Sequence, residues 1–231
     1  VRDATKVSLD DIMNENNYIY DTEEFEHRFK RFIGAEYCVG VSSGTAALHL
    51  ALEAIGIQKG DLVATVSHTF RATVAAIKYV NAKPIYVDIE PHSYCMDPLS
   101  LKKTLDDNPN IKAVIVVHLY GNSAEIEKIA DLCKSRKVKL IEDCSQAHGT
   151  YFEKKHVGTE ARSWKEDEIG YNYRMSTMNA KFLTHKINDF KKVLQEKREI
   201  AKKYDEHFKN TLVNSGVEHS YHIYSILHSH R

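Results

Sequence analysis

Two short stretches carry the residues best suited to chemistry. The first, Val39-Gly40-Val41-Ser42-Ser43-Gly44-Thr45-Ala46-Ala47-Leu48, runs from a β-rich segment straight into a helical pattern. Small residues at such a junction let backbone N–H groups approach a ligand, and the helix N-terminus adds unpaired donors and the positive end of its dipole. Thr45 can add a hydroxyl. This is chemistry for a phosphate, although a tight strand-to-helix turn with a serine N-cap accounts for the same residues equally well. The stretch is neither G-x-G-x-x-G nor G-x-x-x-x-G-K-[ST], which counts against a dinucleotide fold and an NTPase.

The second stretch, Lys139-Leu140-Ile141-Glu142-Asp143-Cys144-Ser145-Gln146-Ala147-His148-Gly149, ends an apolar run with polar groups. Ligands of open parallel sheets bind outside the carboxyl ends of the strands. A carboxylate at Asp143 could hold a protonated ring nitrogen through a charge-assisted hydrogen bond, with Gln146 as a neutral donor nearby. Capping of the following turn is the rival explanation.

These stretches need elements to position them. Strand-like runs at 37–42, 62–67, 83–89, 113–119 and 139–145 alternate with helical patterns at 45–55, 71–81, 99–106 and 124–136. Several strands are apolar nearly throughout, as strands buried on both faces should be. Repeated βα units predict a three-layer α/β fold, a mostly parallel sheet flanked by helices. Asp97-Pro98 is a good helix start, with Asp as N-cap and Pro in the first turn. One long helix is predicted over 176–212, with apolar positions such as Met178, Phe182, Phe190, Leu194 and Phe208 three to four apart and interleaved charges elsewhere. A lone strand-like stretch follows at 221–227. The expected division is a large domain over 1–173, then the long helix and the beginning of a smaller α+β domain over 174–231.

Composition sets outer bounds. At about 150 residues per domain, 231 residues make one large domain and a partial second. Lys plus Arg is 32 and Asp plus Glu is 32, a balance that argues against a nucleic-acid partner. The longest aliphatic run, Ala113 to Val117, has five residues, far short of the roughly 20 of a membrane span. No apolar segment resembling a signal peptide opens the chain. Cys38, Cys95, Cys133 and Cys144 are widely spaced and expected to be reduced, which points to the cytoplasm. His219, His222, His228 and His230 cluster near the end without accompanying acidic or thiol ligands, so surface histidines are expected there rather than a metal site.

The motifs together resemble the DegT-like (DegT/DnrJ/StrS) sugar aminotransferases, pyridoxal phosphate (PLP) enzymes of fold type I. The resemblance rests on Val41-Ser42-Ser43-Gly44-Thr45-Ala46-Ala47-Leu48-His49-Leu50, Ser67-His68-Thr69-Phe70, Val87-Asp88-Ile89, Val117-His118-Leu119-Tyr120-Gly121, Glu142-Asp143-Cys144-Ser145-Gln146-Ala147-His148-Gly149 and Gly170-Tyr171-Asn172-Tyr173-Arg174-Met175, in the family's order. It implies that Gly44 and Thr45 hold the PLP phosphate and that Phe70 stacks on the pyridine ring. It implies further that Asp143 pairs with the ring nitrogen, that Gln146 contacts the ring hydroxyl, and that Asn172 reaches the phosphate held by the partner of a homodimer. The implied reaction moves an amino group, with glutamate as donor, to a nucleotide-linked keto-sugar.

The same resemblance exposes a gap. The family's Schiff-base lysine lies in a Ser-Phe-x-x-x-Lys type segment between Val-Gly-Thr and Gly-Tyr-Asn-Tyr-Arg-Met. Here only ten residues, Glu160 to Ile169, separate Val157-Gly158-Thr159 from Gly170, and Lys165 among them sits in no such motif. Either the sequence in hand is incomplete or the protein carries a genuine deletion. The alternatives to an active aminotransferase are a PLP-binding remnant without catalysis and a relative of the sugar dehydratases that replace this lysine by histidine.

Overall fold

The computed structural model describes residues 20–158, 171–208 and 213–226. Helix α1 (Tyr20–Ile33) opens the described chain and α2 (Gly44–Ala54) follows. Three strand–helix–strand crossovers then build the sheet: β1 (Leu62–Val66), α3 (Arg71–Tyr79), β2 (Lys83–Val87), α4 (Pro98–Asp107), β3 (Ile111–Val117), α5 (Ile126–Arg136) and β4 (Lys139–Asp143). The four strands are all parallel, in the order β2-β1-β3-β4.

Alternation along β3 fixes the layers. Val114 and Val116 face Leu101 and Leu105 of α4 and Ile126, Ile129 and Cys133 of α5. Ala113 and Ile115 face Leu48 and Leu52 of α2 and Ala76 and Ile77 of α3. Both faces of the strand are therefore buried under helices, which is why it reads as an unbroken apolar run from Ala113 to Val117. Three of the four predicted βα units stand, with ends shifted by a residue or two, and the first keeps its helix but not its strand.

Asp97 caps α4 as anticipated, its carboxylate accepting the N–H groups of Leu99 and Ser100 at 3.1 and 3.0 Å. The long helix is α6 (Thr177–Asp205), capped by Ser176, whose hydroxyl accepts the Asn179 N–H. Positions 209–212 of its predicted extent lie outside the described residues. Leu194 and Ala201 are buried, whereas Met178 and Phe208 of the apolar stripe are exposed. Helix α1, which no sequence pattern singled out, packs along α6 through an edge-on Phe32–Phe190 contact and a bond from Arg28 to Asn188.

Two strand expectations fail. Segment 37–42 forms one isolated antiparallel bridge, Val41 to Arg174, instead of a strand. The Gly40 N–H is taken by the Glu26 carboxylate at 2.6 Å, and Tyr37 and Val39 are exposed, so an apolar run finds no neighbouring ladder. Segment 221–226 is irregular, because Tyr221 turns left-handed (φ 50°) with its N–H donated to His219 Nδ1 at 2.8 Å. A small antiparallel sheet instead joins β5 (Tyr151–Phe152), β6 (Lys155–His156) and β7 (Val217–Glu218), in the order β6-β5-β7. Among the described residues, no helix is long and apolar enough to cross a membrane.

Candidate functional site

The chain steps from β1 outward to β2, then crosses back to β3 and β4 on the other side. Strand order thus reverses between β1 and β3, and at such a switch point the crevice beyond the carboxyl ends of the strands is open to a ligand. A cavity of about 210 Å³ lies there, lined by Thr69 and Phe70 after β1, Val117 and Leu119 at the end of β3, and Asp143, Ser145 and Gln146 at the end of β4. Gly44 and Thr45, from the first turn of α2, close its wall. Five of the six residues singled out in the sequence meet in this one cleft.

Each wall has a local cause. Ser43 adopts extended backbone and its hydroxyl accepts the Ala46 N–H at 3.1 Å, so α2 starts at Gly44. A Cβ on Gly44 would stand 3.1 Å from Ser145 Oγ, closer than most side chains tolerate, so glycine keeps this wall thin. The Gly44 and Thr45 N–H groups have no partner among the described residues, which leaves two helix-terminal donors facing the cleft.

Asp143 is 8% exposed at the base of the cleft. Its Oδ1 accepts the Ser145 hydroxyl at 2.6 Å and the Ser145 N–H at 3.1 Å, and its Oδ2 accepts the Thr73 hydroxyl at 3.1 Å. The capping alternative is therefore realised as well: Asp143 caps the turn after β4 and still borders the cleft. Phe70 is 64% exposed, a bare ring lining the same cleft. Gln146 accepts the Tyr120 backbone N–H at 2.9 Å through Oε1. Thr73 and Ser145 carried no sequence signal of their own, although Thr73 lies one helical turn beyond Phe70.

Asn172 is exposed and does not line the cleft. Its neighbours are well held: Tyr171 and Tyr173 stack 5.5 Å apart, and the Tyr173 hydroxyl meets His49 Nδ1 at 3.2 Å. The bond from the Ser42 N–H to the Tyr173 carbonyl, 2.7 Å, lays this segment beside the Ser-Gly-Thr turn.

One buried group has the composition of a metal site, His118, Glu142 and Cys144, with ligand atoms within 4.8 Å of one another. Its hydrogen bonds give it another role. The Ala124 N–H donates to His118 Nδ1, so the ring proton sits on Nε2 and is donated to Glu142 Oε2 at 3.1 Å. Glu142 Oε2 also accepts the Gly158 N–H at 2.8 Å. Burial, with the Glu142 and Asp143 carboxylates, pushes the Cys144 thiol well up, so it stays protonated. The His118–Glu142 bond ties the end of β3 to β4, and a ring with both nitrogens engaged beside a protonated thiol is no ligand set. Of the terminal histidines, His219 accepts the Tyr221 N–H, and His228 and His230 lie outside the described residues.

The fold is shared with solved sugar aminotransferases. DesV from S. venezuelae, solved in complex with a ketimine intermediate, superposes with a TM-score of 0.85 at 22% identity, over 93% of this chain and 71% of that one. The sequence model described as the DegT/DnrJ/EryC1/StrS aminotransferase family matches residues 7–164 and 159–230. The chain belongs to that family. It is 32% identical to GDP-perosamine synthase of Escherichia coli O157:H7, over 94% of this chain and 71% of the relative. It is 29% identical to dTDP-3-amino-3,4,6-trideoxy-alpha-D-glucose transaminase of Micromonospora megalomicea subsp. nigra, over 90% of this chain and 69% of the relative. The chain spans between 26% and 71% of the length of such curated relatives. The alignment to the perosamine synthase runs over 264 positions, more than the 231 residues of the chain, so it opens internal gaps here.

Proposed function

We propose that this chain is the cofactor-binding part of a PLP-dependent aminotransferase that moves an amino group from glutamate to a nucleotide-linked keto-sugar. The observation that carries this reading is the convergence of Gly44, Thr45, Phe70, Asp143 and Gln146 on one cleft at the switch point of the sheet. The residues fit the group. Two unpaired N–H groups and a threonine hydroxyl at the start of α2 suit a phosphate. The flat exposed ring of Phe70 suits an aromatic heterocycle. The Asp143 carboxylate, held by Thr73 and Ser145, suits a protonated ring nitrogen.

When bound, PLP supplies the electron sink that amino-group transfer needs. The chain's own residues then bind and orient it. Asp143 keeps a proton on the ring nitrogen, α2 fixes the phosphate end, and Phe70 sets the plane of the ring. Asn172 is exposed and off its own cleft, as a residue serving a partner subunit would be, so a homodimer belongs to the same proposal. So do a cytoplasmic location and the division into a cofactor domain up to residue 173 and the start of a small domain beyond it.

A second reading, cofactor binding without catalysis, is favoured by one observation. Among the described residues lining the 210 Å³ cavity there is no lysine, while Lys186 and Lys197 of α6 line the larger cavity that shares Gly44, Asp143 and Gln146 with it. The two segments matched by the family model overlap at 159–164, within the stretch where the sequence has no Ser-Phe-x-x-x-Lys type segment. Equilibrium dialysis against PLP tests the shared part: saturable binding at one cofactor per chain, lost in Asp143→Ala, is expected, and no saturable binding overturns it. Amino transfer from glutamate to a nucleotide-linked keto-sugar by the same preparation separates the two readings.

A further inference from the structure

Gln146 faces the cleft, but nothing in its own backbone decides which end of its amide points there. Tyr120 decides it. A backbone N–H can only donate, so the Gln146 atom it meets at 2.9 Å is the carbonyl Oε1, and the NH2 group is left for the cleft. Tyr120 presents that N–H because its backbone is left-handed, φ 62° and ψ 4°, inside the short 3-10 turn Leu119–Gly121. A bulky residue in this region is strained, and such strain persists only where the surroundings enforce it.

The surroundings are a strap from the far end of the chain. The Ile223 N–H donates to the Tyr120 carbonyl at 3.2 Å, and the Ser220 N–H donates to the Gly121 carbonyl at 3.0 Å. Thr150 adds a hydroxyl bond to that same Gly121 carbonyl at 2.7 Å. The strap lies so close that a Cβ on Gly121 (φ +96°) would stand 2.8 Å from the His222 nitrogen and 2.9 Å from the Tyr221 nitrogen. The Tyr120 hydroxyl meets His68 Nε2 at 3.2 Å, so the same residue is bonded to the turn after β4 and to the loop after β1, two residues before Phe70.

We propose that Tyr120 is a positioning residue for the cofactor, and that the strap of residues 219–223 holds it so that Gln146 offers its NH2 group to the ring oxygen. The proposal rests on the PLP reading of the cleft. It makes the strap, beyond residue 173, a part of the cofactor site.

The test uses the whole chain with pyridoxamine 5′-phosphate, which needs no bond to a lysine, and a double-mutant cycle. Gly121→Ala is expected to weaken binding about five-fold or more, and to add nothing once Gln146→Ala is present. Ile223→Pro, which removes a strap donor without adding bulk at the turn, should act in the same direction. Independent, additive losses from Gly121→Ala and Gln146→Ala overturn the proposal. A readout on the cofactor-free chain separates its failure from that of the PLP reading. By NMR, the Tyr120 amide should be protected from exchange and the Gln146 side-chain NH2 signals should shift in Ile223→Pro; an unprotected amide or unmoved signals overturn it even if no cofactor binds.

Discussion

Thr73, in the first turns of α3, donates its hydroxyl to Asp143 Oδ2 at the end of β4, 3.1 Å away across 70 residues of sequence. Both are buried. Because Thr73 gives its proton to the carboxylate, the Thr69 hydroxyl, 3.0 Å away, donates to Thr73 in turn. A short relay therefore runs from the cleft wall to the carboxylate and fixes its orientation from the α3 side, while Ser145 fixes it from its own turn.

Removing the charge at Asp143 while keeping its shape should act on the ligand more than on the fold. Asp143→Asn forfeits a charged hydrogen bond of about 1.5–3 kcal/mol, so PLP should bind roughly 10- to 150-fold more weakly by equilibrium dialysis. Thr73→Val removes one neutral donor and should cost about five-fold. A stronger effect from Thr73→Val than from Asp143→Asn would contradict the assignment.

Ser43 starts the helix whose first turn forms the phosphate wall. Ser43→Ala leaves the Ala46 N–H without its partner and should lower unfolding stability by about 1 kcal/mol in a urea titration. Cofactor affinity should fall with it, because the α2 terminus frays at Gly44 and Thr45.

Gly149 sits left-handed at φ +77°, and a Cβ there would land on the Leu194 side chain of α6. Gly149→Ala combines about 1–2 kcal/mol of backbone cost with about 1–3 kcal/mol of overpacking. For a chain of this size the melting temperature should drop by roughly 5–15 °C in calorimetry. An unchanged melting temperature would show that α6 yields at no cost.

His219 gives the acid limb of stability. Burial, with Arg198 beside it, pulls its pKa from 6.5 down to about 4. The unfolded chain takes up this proton near pH 6.5 and the folded chain only near pH 4. The contribution is thus complete above 6.5 and lost as pH falls from 6.5 to about 4, worth up to about 3 kcal/mol. Burial depresses His148, His156 and His222 in the same direction. Urea midpoints should fall between pH 7.5 and pH 5, less steeply in His219→Gln; a flat profile would contradict this.

The sheet and its helices were legible because β1 and β3 are largely apolar on both faces and because Asp97 and Ser43 mark helix starts in their own side chains. The cleft was legible for a related reason: Gly44 and Asp143 lie where a strand meets a turn, a local event. What escaped depends on partners far along the chain. Segment 37–42 has strand composition, but its backbone bonds go to Glu26 and to residues 173–175. Helix α1 is held by α6, about 160 residues on, and Gln146 is oriented by Tyr120, whose left-handed backbone no composition rule anticipates. The 221–227 run reads as a strand until Tyr221 bends it.

The reversal of strand order between β1 and β3 has a consequence for folding. The cleft draws on residues from 44 to 146, and parallel strands meet only after each crossover helix has formed. Such long-range pairing is slow, so the cleft is among the last features to take shape. A ligand that needs it complete binds the native chain and none of its precursors. At 100 times its dissociation constant, such a ligand adds about 2.7 kcal/mol to the native state. On the PLP reading of the cleft, cofactor present during refolding should therefore raise the yield of native chain.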